Sequence, residues 1–139
     1  MTAMTREELT AFLETEFPQS AQLNLTIEEV GQGGARLRMA VGDQHLRPGG
    51  TVSGPTLAWL ADVSLYVAIL ARIGPATQAV TTNLNINFLR RPAPEDLVAE
   101  CRLLKLGRRL AVGEVAIYNA GDAAPVAHVT GTYSIPPDR

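Results

Sequence analysis

Cysteine, lysine and histidine are nearly missing from these 139 residues, and each scarcity excludes a class of function. Cys101 stands alone, so no internal disulfide can form and the chain need not be secreted. That cysteine and the two widely separated histidines, His45 and His128, cannot assemble an ordinary zinc site, and no metal is expected. Lys105 is the single lysine among twelve cations. The rest are arginines, which suit phosphate recognition, although a GC-rich genome leaves the same bias. A formal net charge of −2 offers no general attraction for nucleic acid or an anionic membrane. No basic region followed by an apolar core opens the chain, so no signal peptide is expected and the expected location is cytoplasmic. There is no G-x-S-x-G, phosphate loop or nucleotide fingerprint, and no internal repeat or linker. One domain over 1–139 is expected.

What the chain does have is a long apolar run, 54–72, GPTLAWLADVSLYVAILAR, interrupted by one acid, Asp62. Ser53 in the N-cap position, Pro55 in the first turn and Gly74-Pro75 past the end punctuate an α-helix. A helix apolar on every side either crosses a membrane or lies at the centre of a domain. This one is at the short limit for a span and carries a carboxylate near its middle, so a central core helix is expected. An unpaired carboxylate in such surroundings is costly unless a neighbour pairs with it or the chemistry uses it. Asp62 is therefore the leading candidate.

The rest of the chain supplies cover for that helix. Thr5-Arg6-Glu7-Glu8 has capping-box spacing, and Leu9, Phe12, Leu13 and Phe17 recur on one face, predicting a helix over 5–17 stopped by Pro18. Strands are expected over 23–30 and 35–41, joined by a glycine-rich turn into a hairpin with one wet face. Residues 42–53 read as a loop. Four strands follow, over 77–90, 97–106, 109–118 and 125–133, with breaks at Pro92 and Pro94. In the first of them alternation places Val80, Leu84, Ile86 and Phe88 on one face and Thr81, Asn83, Asn85 and Asn87 on the other. The fold class is α+β, a curved antiparallel sheet wrapped around one long helix.

Residues 45–55, HLRPGGTVSGP, followed by Leu60-Ala61-Asp62, resemble the hotdog-fold thioesterases of the PaaI type. Their pattern is H-x-N, a glycine-containing loop, H-G-G, and then L-A-D on the central helix. Residues 85–90, NINFLR, with Gly107-Arg108-Arg109 and Gly131-Thr132, extend the resemblance across 23–134. Arg47 stands at the family asparagine, Ser53 at the histidine of H-G-G, and Pro55 at its second glycine. The resemblance implies a hotdog fold and hydrolysis of acyl-CoA thioesters without a cofactor, coenzyme A being part of the substrate. It implies that Asp62 is a nucleophile or activates water and that the Gly54 N–H polarises the thioester carbonyl. Thr81 or Thr82 would orient the water or the carboxylate. A homo-oligomer, dimer or dimer of dimers, is implied as well.

Helix geometry adds a constraint of its own. Asp62 lies eight residues past Gly54, about 12 Å along the axis, whereas a nucleophile must come within roughly 3–3.5 Å of the carbon it attacks. One chain cannot bring both groups to one thioester, but two helices packed antiparallel across a two-fold axis can. The helix start has unpaired N–H groups and the positive end of the macrodipole, both suited to an oxyanion. Pro55 has no N–H to give, so Gly54 is the expected donor.

The remaining candidates each carry two readings. Ser53 caps the helix and its hydroxyl is a candidate substrate contact. His45 is a base or a brace for its loop. Arg47 pairs with Asp62 or the ligand, or stays solvated. Arg90, Arg91 and Arg108, with Lys105 and Arg109, are candidate partners for the phosphates of coenzyme A or a solvated rim. Asn87 is the asparagine to test. His128, Trp59, Tyr66 and Met39 read as structural. A non-catalytic acyl-CoA binding or sensing domain is the competing function. Hydratase or dehydratase action ranks last, because His45 lies on a different segment from Asp62.

Overall fold

The computed structural model describes residues 2–137. Helix α1, Arg6–Glu16, starts where the capping box closes: the Glu8 N–H donates to Thr5 Oγ1 at 3.1 Å and the Thr5 N–H to Glu8 Oε1 at 2.9 Å. The first strand begins later than the hydropathy pattern predicts. Pro18–Leu23 wind into a 3-10 helix and Asn24 turns left-handed at φ 50°, so β1 is Leu25–Val30. Asparagine tolerates that conformation better than a branched residue would. Strand β2, Gly34–Met39, pairs antiparallel with it and buries Ala35, Leu37 and Met39, leaving Arg36 and Arg38 on the wetter face. Inside the expected loop lie a 3-10 turn, Asp43–His45, and a two-residue ladder, β3 Leu46–Arg47 with β4 Thr51–Val52.

The central helix, α2, runs Gly54–Ile73, one residue longer than expected. Ser53 caps it, its Oγ accepting the Thr56 N–H at 3.3 Å, and Gly74 at φ 87° ends it. With a mean hydropathy of 1.6 it is long and apolar enough to cross a membrane. Here it is the core instead, with Leu57, Leu60, Val63, Leu65, Ile69 and Leu70 buried. Strands β5 Val80–Phe88, β6 Leu97–Leu106, β7 Leu110–Asn119 and β8 Ala127–Ser134 complete one antiparallel sheet in the order β1-β2-β6-β7-β8-β5. The helix lies across this curved sheet and touches five of its strands, which is the hotdog architecture.

Two details of the sheet set the position of the helix. Gly113 and Gly131 face each other in register, and a Cβ at either would meet a Leu65 methyl at 2.7 or 2.5 Å. Only a bare backbone lets Leu65 seat directly on the sheet. Buried Asn119 fixes the Pro92–Pro94 break, accepting the Ala93 N–H at 2.8 Å and donating to the Ala93 carbonyl at 3.0 Å.

Strand β5 departs from simple alternation. Its pairing with β8 steps from Thr81↔Tyr133 to Asn83↔Thr132, so Thr82 is the extra residue of a bulge. The bulge reverses the facing of everything before it. Thr81 joins Leu84 and Ile86 on the side facing the helix, and Val80 turns outward, 55% exposed. Phe88, on the same face as Leu84 and Ile86, is 59% exposed at the far end of the strand, where its ring approaches the helix start at Gly54. Strand β5 also ends the sheet, so one side of its backbone has no neighbouring strand among the described residues.

Candidate active site

Asp62 sits where the bulge aims Thr81. The Thr81 hydroxyl donates to Asp62 Oδ1 at 2.6 Å, and the Tyr133 hydroxyl donates to the same oxygen at 2.7 Å while lying 3.0 Å from the Asp62 backbone carbonyl. Oδ2 has no hydrogen-bond partner among the described residues. Both donors therefore lock one oxygen and leave the other to face outward. Burial first, and then the charge of Asp62, push the Tyr133 phenol well above the usual tyrosine range, so it stays a proton donor.

The carboxylate opens on a cleft of about 290 Å³ whose walls include Phe17, Tyr66, Ala79 and Val80, with Glu16 at its rim. Tyr66 stacks on Tyr133, ring centroids 6.0 Å apart and planes at 15°, and its hydroxyl donates to the Ala76 carbonyl at 3.2 Å. Tyr66, which reads as structural in the sequence, thus lines this cleft as well as packing on the core.

Gly54 belongs to a different depression. Together with Arg47, Thr51, Phe88, Arg90 and Arg91 it lines a second hollow of about 510 Å³ at the start of α2. Gly54 lies against Phe88 and Asp62 against Thr81, positions about 20 Å apart along β5 at 3.3 Å per residue. Around the second hollow, Ser53 Oγ is shared between its cap and the Thr56 hydroxyl at 2.8 Å, and Pro55 is exposed. Arg47 donates to the neighbouring Pro48 carbonyl at 3.2 Å, Arg90 to the Pro125 carbonyl at 3.2 Å and Arg91 to the Gly49 carbonyl at 2.6 Å. Arg47 makes no contact with Asp62 here.

The expected arginine cluster is in fact divided. The register Phe88↔Ala127↔Ile117 at one end and Val80↔Ser134↔Leu110 at the other puts Arg90 and Arg91 beyond the Gly54 end. Arg108, exposed at the β6–β7 turn, lies beyond the Asp62 end. Antiparallel strands place residues that follow their two ends at opposite edges, which the order of residues in the chain conceals.

His45 is 4% exposed, and both ring nitrogens are engaged: Nδ1 accepts the Gly42 N–H at 2.9 Å and Nε2 lies 2.7 Å from the Gln22 carbonyl. Engaged at both nitrogens, the ring is a brace that holds the loop preceding α2. Thr82 is exposed at the bulge, its hydroxyl 3.3 Å from the Thr132 carbonyl, and Asn87 is exposed on β5. Cys101 offers no competing nucleophile, since burial pushes its thiol up to about 12. Among the described residues no group of three or more His, Cys, Asp or Glu is placed to hold a metal. Sequence reasoning missed Tyr133. The available signal was a tyrosine in phase with Ala127, Val129 and Gly131 on an inward strand face, whose buried hydroxyl had to find a partner.

Comparison with known proteins identifies the family. Residues 49–126 match the family model of the Thioesterase superfamily. A solved protein of Silicibacter sp. TM1040, provisionally named a thioesterase, is 45% identical and superposes with a TM-score of 0.89, covering 99% of this chain and 95% of that one. The phenylacetic acid degradation protein PaaI of Thermus thermophilus is 28% identical with a TM-score of 0.75, over 86% of this chain and 99% of that one. A Pseudomonas aeruginosa protein provisionally named an esterase is 30% identical over 99 residues, 70% of this chain and 72% of its own length.

Proposed function

We infer that this chain, which belongs to the Thioesterase superfamily, hydrolyses the thioester of an acyl-coenzyme A to the free acid and coenzyme A. The observation that carries the reading is the Asp62 carboxylate, held at Oδ1 by two hydroxyls and presenting Oδ2 to an apolar, aromatic-walled cleft. In the general-base route Asp62 takes a proton from water, and the resulting hydroxide attacks the carbonyl carbon. The carbonyl electron pair moves onto oxygen and is met by the Gly54 N–H at the helix start. The intermediate then collapses, the carbon–sulfur bond breaks, and Asp62 returns the proton to the thiolate. In the nucleophilic route Asp62 itself attacks, releasing the thiolate and leaving a mixed anhydride that water cleaves. Neither route draws on a cofactor beyond the coenzyme A of the substrate.

The site is completed between two copies of the chain. Asp62 and Gly54 open on separate hollows of one protomer, so a thioester held by Asp62 must meet the Gly54 of another. The free side of β5 supplies the means, because antiparallel pairing of two β5 strands about a two-fold axis sets the Val80 end of one beside the Phe88 end of the other. Exposed Val80, Phe88 and Leu89 would then be covered. The same operation gathers Arg108 from the Asp62 protomer and Arg90 and Arg91 from the Gly54 protomer around one site, where coenzyme A brings its phosphates. The working form is a dimer or a dimer of dimers, placed in the cytoplasm.

A panel of aromatic, short-chain and long-chain acyl-CoAs, followed by release of free thiol, tests this reading. Turnover of at least one class is expected. Saturable binding of acyl-CoA with no thiol release from any of them would overturn hydrolysis and mark a non-catalytic acyl-CoA binder.

A further inference from the structure

Tyr133 is a buried titratable group that takes part in no bond-making or proton-transfer step of the proposed reaction. Its hydroxyl reaches the side chain and the backbone of the same residue, Asp62, at 2.7 and 3.0 Å. A phenol has one proton, so it serves one acceptor at a time. We propose that Tyr133 is a positioning residue that fixes which oxygen of Asp62 reacts and holds that carboxylate still through the catalytic cycle. This inference rests on the thioesterase reading for its kinetic consequence, but not for its geometry.

The argument begins with the carboxylate's freedom. The side chain of Asp62 is only partly buried, and Thr81 alone would leave it free to rotate about its last bond and exchange its two oxygens. A second donor, arriving on the same oxygen from a different strand, removes that freedom. Thr81 and Tyr133 pair directly across β5 and β8, so the two hydroxyls are set by one rung of the ladder. Oδ1 is consumed by them and Oδ2 is the oxygen left to meet water or the carbonyl carbon.

The second acceptor explains why a tyrosine serves here. While Asp62 is charged, the phenol proton goes to Oδ1, the stronger acceptor. When Asp62 has taken a proton or an acyl group, Oδ1 loses its charge, and the same O–H can turn to the Asp62 carbonyl without the ring moving. The ring itself is held by its stack on Tyr66 and is 4% exposed. Tyr133 therefore keeps a partner in both states, and no buried donor is orphaned midway through turnover.

Tyr133→Phe tests this, since it keeps the ring and removes the hydroxyl. Acyl-CoA hydrolysis is measured across pH for the parent and the variant, with melting temperature as the control for folding. A fall in kcat of about ten- to hundredfold is expected, the worth of one hydrogen bond to a charged group. KM should stay within about twofold, and the acid limb of the kcat/KM profile should move to higher pH, because the charged form has lost a donor. A purely structural tyrosine would lower the melting temperature and leave kcat and the acid limb of the remaining folded enzyme alone, which would overturn the proposal. If the parent hydrolyses no acyl-CoA, the thioesterase reading fails separately. Tyr133 is then judged by carbon-13 NMR of the Asp62 carboxyl, whose titration midpoint must rise in Tyr133→Phe, and an unmoved midpoint rejects the inference.

Discussion

Replacing Asp62 by asparagine separates chemistry from structure more cleanly than any other single change. The amide oxygen can occupy the place of Oδ1 and accept from both Thr81 and Tyr133, at the 2.6 and 2.7 Å spacings already present. The amide nitrogen then falls where Oδ2 faces the cleft, so no donor is buried without a partner. Each hydrogen bond loses its charge assistance, falling from about 1.5–3 to about 0.5–1.5 kcal/mol. The combined loss is about 2 kcal/mol at most, because the side chain is partly exposed and the cost of desolvating the charge disappears with it. For a chain of this size that corresponds to a decrease in melting temperature of no more than about 4–8 °C. Activity has no such cushion. The nitrogen can neither attack a thioester nor take a proton from water, and the loss should reach about three orders of magnitude. Thiol release under saturating acyl-CoA, paired with thermal melts of the same preparation, reads both quantities. Turnover within about tenfold of the parent would remove Asp62 from the mechanism. A variant that does not fold would show instead that the charge on Oδ1 holds the strand pairing together.

The remaining predictions address the shared site, the seating of the helix and the outer face of the sheet. Gly54→Pro removes the proposed oxyanion donor, and the Ser53 that precedes it is already extended at ψ 149°. Mixed and reassembled with inactive Asp62→Asn, it should restore about a quarter of parental activity through heterodimers with one intact site, and mixtures as inactive as either parent variant would exclude a shared site. Gly131→Val drives a Cβ to within 2.5 Å of a Leu65 methyl and 3.1 Å of a Leu84 methyl, so overpacking should cost about 1–3 kcal/mol in a denaturant melt. An unchanged midpoint would mean that the helix can shift off the sheet. On the opposite face, hydrogen bonds from His128 and then Arg102 hold the Glu114 carboxyl below its ordinary 4.5. A lowered carboxyl stabilises the fold above its unfolded value and stops doing so as pH falls through its folded one. Parent and Glu114→Gln should therefore differ in stability near neutrality and converge below pH 4.5, and a gap that widens on acidification would reverse that sign.

Much was legible in residue order alone because local physics writes it there. The capping box at Thr5, the cap at Ser53, the stop at Gly74 and an apolar run too thick for a surface helix specify α1 and α2 through their own hydrogen bonds and hydropathy. The same run made Asp62 conspicuous, and its distance from Gly54 followed from the rise of a helix. Tertiary structure decided what depends on register. Alternation puts Thr81 on the wrong face of β5, and only the extra residue Thr82 turns it toward Asp62. Tyr133, far along the chain, reaches Asp62 only because β8 lies between β7 and β5. The arginines of the second half look like one cluster in sequence and occupy opposite ends of the sheet. A hydrogen-bond register is chosen by the packing of the whole sheet against one helix, and no window of neighbouring residues contains that choice.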